Sequence, residues 1–148
     1  RLDAAAHAAQ WDSGEGAKRF GGRWNSRGSA CVYASLDPAT AILEVAVHKG
    51  FAVIDAVPHV LTRFEFDETA LHRVRANAVP DRVWLAPGIA TPDQQRFGTG
   101  LLAEHVFTAL PSVVVPQAEN LIFDPARAAG RYRRVSQEPF TLDPRLRT

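Results

Sequence analysis

Residues 37–50, DPATAILEVAVHKG, predict one helix that is apolar on nearly every side and carries a single carboxylate in its middle, Glu44. Asp37 is typical of an N-cap, Pro38 favours the first helical position, and Gly50 is a residue at which helices end. A helix with apolar side chains all round is expected to be buried, so we expect it at the centre of the fold. A buried Glu44 would be costly unless a partner or a function compensates.

Glu44 has two interpretations from the residues alone. It can be a structural carboxylate paired with Arg23 or with His48, which stands four residues later on the same helix face. It can instead be a catalytic group in front of a ligand pocket. His48 is expected to face inward and to be structural, because no other metal-type ligands lie near it in the sequence.

A basic, glycine-rich stretch, residues 18–29, precedes this helix. Glycines let backbone N–H groups approach a ligand closely, and arginine offers a planar fork to phosphate oxygens. The stretch therefore favours a phosphate-binding turn, although Arg23 taken alone is better explained as a solvated loop residue. It matches neither the GxGxxG nor the P-loop pattern, so the motif identifies no nucleotide-binding loop.

Composition restricts the class of protein. A chain of 148 residues is long enough for one domain with a real core, and a net charge of +1 gives no global attraction to nucleic acid or to anionic membranes. No apolar run reaches the roughly 18–20 residues of a membrane span, and no signal peptide is expected. The single cysteine, Cys31, excludes an internal disulfide and fits a reducing cytoplasm. It lies in an apolar run and is expected in the core rather than as a nucleophile.

The other patterns predict an α+β fold with a split, mainly antiparallel sheet and flanking helices, in one domain, residues 1–148. Strands and helices do not alternate in a regular βαβ rhythm, which argues against a parallel α/β sheet. A second capped helix is expected from Thr91 to Glu104, weakened by Gly98 and Gly100. Residues 3–11 are expected to form one or two helical turns, and residues 127–134 a basic surface loop. Strands are expected at residues 1–2, 30–34, 59–66, 106–110, 112–115 and 138–142.

Six blocks in order over nearly the whole chain resemble the RES domain family. The blocks are GGRWNS (21–26), VYAS (32–35), AILEVAVH (41–48), LPSVVVP (110–116), ENLIFDP (119–125) and FTLDPRL (140–146). Each block alone is weak, but six in sequence are specific. The resemblance implies a toxin of a bacterial type II toxin–antitoxin pair, with a fold similar to that of ADP-ribosylating toxins. It also implies consumption of NAD and an antitoxin with an Xre-type helix-turn-helix.

The resemblance assigns the family's naming arginine, glutamate and serine to Arg23, Glu44 and Ser112. Tyr33 matches the tyrosine of the VYA block, and Asn120 matches the asparagine that follows the PS block. Without the family, Tyr33 on a buried strand is more often a core residue, and Ser112 is simply a turn serine. By resemblance these five residues are expected to bind or process the ligand.

Arg1 matches a ligand-binding residue on the family's first strand, with little sequence around it to support the match. Two departures from the family pattern stand after Asn120. Leu121 replaces an aromatic residue, and residues 123–127, FDPAR, lack the histidine of the family's NP-HP pattern. A histidine contact to the ligand is therefore not expected there.

The implied chemistry suits these residues. Cleavage of the nicotinamide–ribose bond passes through an oxocarbenium-like state, which Glu44 can stabilise by its charge. Arg23, with Arg1, can hold the pyrophosphate, and Tyr33 can stack on the nicotinamide ring. Ser112 is expected to hydrogen-bond ribose or a phosphate.

The expected function is NAD cleavage, by hydrolysis or phosphorolysis, that arrests growth. One alternative is an ADP-ribosyltransferase that modifies a specific cellular protein, and a second is a non-catalytic domain that only binds a partner. NAD is expected as the substrate, with water, phosphate or a target protein as acceptor, and no metal is expected. The expected partner is the Xre-type antitoxin, without direct nucleic-acid or membrane contact, in the cytoplasm.

Overall fold

The computed structural model describes residues 1–146, so the last two residues of the predicted domain 1–148 lie outside the described part. The strands are β1 (Leu2–Ala4), β2 (Val32–Ser35), β3 (His59–Phe66), β4 (Leu71–Arg73), β5 (Phe107–Pro111), β6 (Glu119–Phe123) and β7 (Tyr132–Phe140). The α-helices are α1 (Glu15–Phe20), α2 (Pro38–Lys49), α3 (Phe51–Ala56) and α4 (Pro92–Glu104). Short 3-10 helices span Ala5–Gln10, Glu68–Ala70, Ala76–Ala78, Arg82–Leu85 and Pro144–Leu146.

The strands form two sheets, which confirms the predicted α+β fold with a split, mainly antiparallel sheet. One sheet has the order β1-β3-β7 and the other the order β2-β6-β5-β4. All pairs are antiparallel except β4 with β5. Strand β6 therefore lies between β2 and β5, and it brings residues from distant parts of the chain side by side.

The two faces of the four-stranded sheet have different partners, because side chains alternate along each strand. Val32, Phe107, Leu121 and Phe123 face the three-stranded sheet and pack with its Phe64, Phe66 and Tyr132. The opposite face carries Leu110 and Ile122, which pack with Trp24, Trp84, Leu101 and Leu102. Tyr33 also packs on this second face, and near the end of the strands that face opens into a cleft.

Helix α2 begins and ends as predicted, but it is not central. The Asp37 side chain accepts a hydrogen bond of 2.8 Å from the Thr40 N–H, and Gly50 ends the helix with a φ of 81°. One side packs against the three-stranded sheet and α3. The opposite side is open: Val47 is 65% exposed, and His48 is exposed rather than directed inward. The expectation of a fully buried helix was wrong because only one of its faces is covered.

Two predicted elements near the chain's C-terminal part differ from the structure. Residues 112–115 form a turn rather than a strand, because the Ser112 hydroxyl accepts hydrogen bonds from the N–H groups of Val114 and Val115. The predicted basic loop 127–134 ends early, since Tyr132–Phe140 pairs with β3 over its whole length. Arg133 of that strand forms an ion pair with Glu65 across the sheet. The last strand thus starts six residues before the predicted position of 138.

The patterns also missed α1, α3 and β4, all of which are short. Residues 3–11 are divided between the end of β1 and a 3-10 helix. Cys31 is buried, as predicted. No helix among residues 1–146 has both the length and the apolarity needed to cross a membrane.

Candidate active site

A cleft of about 920 Å³ opens beside β2, between α1, α2 and the loop that follows the 3-10 helix Arg82–Leu85. Its size falls within the range of about 300–1,000 Å³ typical of small-molecule sites. Most of its lining is apolar, and the basic and acidic residues on it are Arg1, Arg23, Glu44, His48 and Lys49. Tyr33, Ser35 and Asn120 also line it. The cleft therefore combines three permanent cations with one carboxylate.

Glu44 is held at one oxygen only. The Ser112 hydroxyl donates to its Oε1 over 2.7 Å, and the Asn120 amide nitrogen donates to the same oxygen over 2.5 Å. Within residues 1–146 no hydrogen bond to Oε2 is formed, and no ion pair joins Glu44 to His48 or Arg23. The structural pairing considered from the sequence is therefore absent. The carboxylate is fixed from behind, and its second oxygen stays available in the cleft.

Ser112 lies behind Glu44 rather than on the cleft wall. It is 2% exposed, and its neighbours Pro111 and Val113 line the cleft instead. A hydroxyl has one proton to donate and two lone pairs. The proton goes to Glu44, and the lone pairs accept from Val114 and Val115 at 3.1 and 2.9 Å. The structure thus gives Ser112 no capacity for the ribose or phosphate contact expected from the sequence.

Asn120 connects Glu44 to a residue that sequence reasoning missed. Ser35 and Asn120 are paired residues of β2 and β6, and the Ser35 hydroxyl donates to the Asn120 side-chain oxygen over 2.6 Å. The blocks VYAS and ENLIF each indicate a strand, but neither block shows which residues of the two strands are paired. Asn120 is therefore both a cleft residue and a partner of the carboxylate.

Arg23 lies on the cleft wall opposite these strands and is half-buried. Its guanidinium donates to the backbone oxygens of Trp84, over 3.3 Å, and Gly88, over 2.8 Å. Arg23 is therefore not a free, solvated loop arginine. It fastens the loop of residues 86–90 to the cleft, while its remaining N–H groups are available to an anion.

Arg1 joins the two sheets at the cleft. Its side chain forms an ion pair with Asp3, at a shortest separation of 2.7 Å, and donates to the Tyr33 backbone oxygen over 2.8 Å. The same guanidinium lines the cleft. Arg1 is thus positioned by one carboxylate and one strand, and it adds a second positive charge to the site.

Tyr33 is fixed through its hydroxyl. This group accepts a hydrogen bond from the Trp24 N–H over 2.9 Å and donates one to the Asn25 side-chain oxygen over 2.7 Å. Burial raises the pKa of the Tyr33 phenol far above its usual range, so the group stays neutral. Gly22 is close: a Cβ there would lie 2.5 Å from the Tyr33 hydroxyl oxygen. The ring therefore borders the cleft in one fixed orientation.

The structure thus brings the predicted Arg1, Arg23, Tyr33, Glu44 and Asn120 to one cleft, with Ser112 directly behind the carboxylate. Among residues 1–146 no group of three or more His, Cys, Asp or Glu side chains is arranged to hold a metal ion. The arrangement can bind an anionic ligand through two arginines. It can also place one carboxylate oxygen against the ligand.

Comparison with known proteins decides the family. The model of the RES domain matches residues 1–143. The chain belongs to the RES domain family. The prediction made from six sequence blocks is confirmed, and the match extends over almost all of the chain.

Relatives of this RES domain are toxins. It is 35% identical over 157 aligned positions to the Prs ADP-ribosylating toxin of Sphingobium sp. strain YBL2, covering 97% of this chain and 91% of that protein. It is 32% identical over 139 positions to Toxin Res of Pseudomonas putida, covering 90% and 91% of the two chains. Toxin Res of Photorhabdus laumondii is 29% identical over 99% of this chain and 94% of its own length. The predicted assignment to the RES toxins is therefore confirmed.

The fold of this RES domain also has a solved counterpart. It superimposes on a chain from the crystal structure of the M. tuberculosis MbcT–MbcA toxin–antitoxin complex with a TM-score of 0.78. The match covers 95% of this chain and 82% of the other at 18% sequence identity. The shared architecture is thus retained at a low level of sequence identity.

Proposed function

We propose that this RES toxin binds NAD in the cleft and cleaves the bond between nicotinamide and ribose. The observation that carries the proposal is the asymmetric setting of Glu44. Two donors fix Oε1, Oε2 accepts no hydrogen bond from residues 1–146, and Glu44 lines the same cleft as Arg1 and Arg23. The name of the Sphingobium relative, an ADP-ribosylating toxin, supports the same substrate.

Glu44 stabilises the transition state in this proposal. As the bond to nicotinamide breaks, positive charge develops on the ribose, as it does in glycoside cleavage. A carboxylate oxygen that is already oriented stabilises that charge without having to reorganise. Nicotinamide carries a positive charge before the bond breaks and is neutral afterwards, so it leaves without a general acid. The cleft accordingly needs only one carboxylate.

The arginines bind the pyrophosphate. Arg23 and Arg1 line the same cleft, and each guanidinium is anchored by protein acceptors that limit its rotation. Planar, oriented guanidinium groups suit phosphate oxygens better than a flexible ammonium group does. Anchoring also lowers the entropy lost on binding.

Tyr33 packs against the nicotinamide ring. Its hydroxyl is held by Trp24 and Asn25, so the ring face cannot turn away from the ligand. Nicotinamide in NAD is positively charged, and an aromatic face attracts a cation. That attraction disappears once neutral nicotinamide has left, which favours its release.

Nicotinamide release from NAD tests the proposal directly. The wild-type protein is expected to release nicotinamide, and Glu44→Gln is expected to lower the rate by about 100-fold or more. The glutamine keeps an oxygen that accepts from Ser112 and Asn120, so the melting temperature should change little. Wild type that releases no nicotinamide, with or without phosphate and cell extract, would contradict the proposal.

The acceptor of ADP-ribose distinguishes the forms of the reaction. Water gives ADP-ribose, phosphate gives its phosphorylated form, and a target protein gives a modified protein. Product analysis with and without phosphate separates the first two. Transfer to a protein is the second candidate, supported by the name of the Sphingobium relative. Labelled NAD incubated with cell extract should then yield a labelled protein band.

We also propose that the chain acts in the cytoplasm and is inhibited by an antitoxin, by analogy with the MbcT–MbcA toxin–antitoxin complex. An Xre-type protein that covers the cleft would meet Arg23 and Arg1. A complex that forms equally well with Arg23→Glu would contradict contact at the cleft. Growth arrest that persists in Glu44→Ala would favour the non-catalytic, partner-binding alternative.

A further inference from the structure

We infer that Ser35 is a positioning residue for Glu44 and acts through Asn120. The inference rests on the proposed NAD cleavage, because its consequence is the orientation of the carboxylate that this reaction uses. Ser35 is outside the arginine, glutamate and serine for which the family is named. Its place in the site follows from strand pairing and from one hydrogen bond.

The position of Ser35 is set by the sheet. Ser35 and Asn120 are direct partners in the antiparallel pair of β2 and β6, so their side chains lie on the same face. The Ser35 hydroxyl donates to the Asn120 side-chain oxygen over 2.6 Å. Both residues are partly buried, and both line the cleft. The pair is therefore held by the backbone ladder as well as by its own hydrogen bond.

The hydrogen bond from Ser35 supports the direction of the Asn120 amide that the Glu44 carboxylate requires. With its oxygen occupied by the Ser35 proton, the amide turns its nitrogen towards Glu44, where it donates to Oε1 over 2.5 Å. The reverse orientation would bring two oxygens without a proton together at that distance, which is repulsive. Ser35 thus stabilises the one amide orientation in which Asn120 can support the carboxylate.

Two such supports determine which way the carboxylate faces. Ser112 reaches Oε1 from the turn after β5, and Asn120 reaches it from β6. Two donors that converge on one oxygen resist rotation of the carboxyl group better than either alone. Oε2 accepts from neither of these donors, and Glu44 lines the cleft. Without the Ser35 hydroxyl, the Asn120 amide is less firmly oriented, and one of the two supports of Glu44 is weakened.

Kinetics of Ser35 variants test the inference. Ser35→Ala is expected to lower kcat for nicotinamide release by about 10- to 100-fold, the range expected when a catalytic group is misplaced, with little change in KM. Ser35→Thr keeps the hydroxyl and should restore most of kcat. An unchanged kcat in Ser35→Ala would overturn the inference, and so would a rise in KM alone, which would indicate a direct ligand contact.

A double-mutant cycle separates action through Asn120 from any other role. If Ser35 acts through Asn120, then Ser35→Ala has no further effect on kcat in an Asn120→Ala background. If Ser35→Ala lowered kcat by the same factor in the wild-type and the Asn120→Ala backgrounds, the inference would be overturned. Thermal melting of each variant verifies that the loss is not unfolding.

A measurement without substrate keeps this test separate from the proposed function. In 15N-labelled wild-type protein, the side-chain NH2 signals of Asn120 are identified by their loss in Asn120→Asp. They are expected to shift in Ser35→Ala and to stay near their wild-type positions in Ser35→Thr. Signals that do not move in Ser35→Ala would overturn the inference even if NAD is never cleaved. Absence of NAD cleavage with shifted signals would contradict the proposed function alone.

Discussion

The two oxygens of the Glu44 carboxylate have different surroundings. Oε1 accepts from Ser112 and Asn120, whereas Oε2 is open to the cleft. Hydrogen bonds to charged groups are stronger than neutral ones, so this support is firm. The asymmetry gives one side chain a supported oxygen and, in the proposed reaction, a reactive oxygen. It also explains how a carboxylate can sit in an otherwise apolar stretch of helix.

Ser112→Ala should damage stability as well as activity. The change leaves two backbone N–H groups without their acceptor and Glu44 with one donor fewer. Loss of a buried partner costs about 1–3 kcal/mol in the free energy of unfolding. Urea unfolding without ligand measures this change in the free energy of unfolding. Ser136→Ala, on β7, is the control and should change stability by less than about 0.5 kcal/mol. A Ser112→Ala variant as stable as the control would show that the turn does not depend on the hydroxyl.

At the residue scale the sequence predicted several of the side chains that line the cleft, but not what each one contacts. Arg23, Glu44 and Asn120 were found because their blocks resemble the RES family. The contact of Ser112 with Glu44 could not be predicted, because it joins residues 68 positions apart in the chain. Ser35 was missed for the same reason: its partner is defined by strand register rather than by its own neighbours.

At the element scale, the capping residues at the ends of helices predicted the structure better than apolar content did. Asp37 and Thr91 cap their helices as predicted, each accepting from the N–H three residues later. The run 112–115 was misassigned because its β-branched residues favour a strand, while a local hydroxyl competes for the backbone donors. Short elements such as α1 leave too weak a periodic pattern to be detected.

Two glycines of α4 should respond in opposite ways to alanine. A Cβ on Gly98 would lie 2.2 Å from the Trp24 backbone oxygen, whereas a Cβ on Gly100 would meet nothing within 4 Å. Gly98→Ala should therefore force α4 away from Trp24 and destabilise the fold by about 1–3 kcal/mol. Gly100→Ala should stabilise it by about 0.5–1 kcal/mol, because alanine favours the helix.

Thermal unfolding of the two variants checks this pair. Both glycines lie on the same helix, so both substitutions gain the same helix propensity. Only the substitution at Gly98 also meets a closely packed neighbour. Equal melting temperatures would mean that Trp24 does not lie as close to α4 as the structure has it. On this expectation, glycine weakens the helix at Gly100, where a side chain has room, whereas at Gly98 it permits the close approach of Trp24.

At the scale of the whole molecule, aromatic packing and a few polar links join the two sheets. Phe64 of β3 packs on Phe123 of β6, and Phe66 of β3 packs on Phe107 of β5, with ring centroids 5.9 and 5.0 Å apart. The Tyr132 hydroxyl donates to Asp12 over 2.9 Å, connecting residues 120 positions apart. The α+β class and the split sheet could be predicted from the rhythm of the elements. Which side chains fasten the layers together could not, because no local pattern encodes such distant pairs.

Tyr132→Phe should weaken the fold and change its alkaline behaviour. At neutral pH the lost hydrogen bond should lower the free energy of unfolding by about 1 kcal/mol. Burial, with Asp12 as the second cause, raises the pKa of Tyr132 from 10.0 to about 12. The unfolded chain therefore loses this proton first, so stability falls as pH rises from about 10 to about 12.

Urea titrations at several pH values between 9 and 12, in the range set by that pKa shift, measure the difference. The wild type is expected to lose stability more steeply than Tyr132→Phe, which lacks this titrating group. Parallel curves would show that Tyr132 has no raised pKa in the folded protein. Tyr33 is unchanged in both proteins, so its own contribution cancels in the comparison.

The position of β6 between β2 and β5 has a consequence for synthesis on the ribosome. Glu44 is made early, but Ser112 and Asn120, which orient it, are made much later. A nascent chain that ends before residue 119 has no strand to insert between the two neighbours, so the carboxylate has no fixed direction. Only a chain that includes β6 can assemble the site. For the proposed reaction, a fragment that ends before β6 is therefore expected to be inactive, and the proposed antitoxin would have no active site to block until β6 has been made.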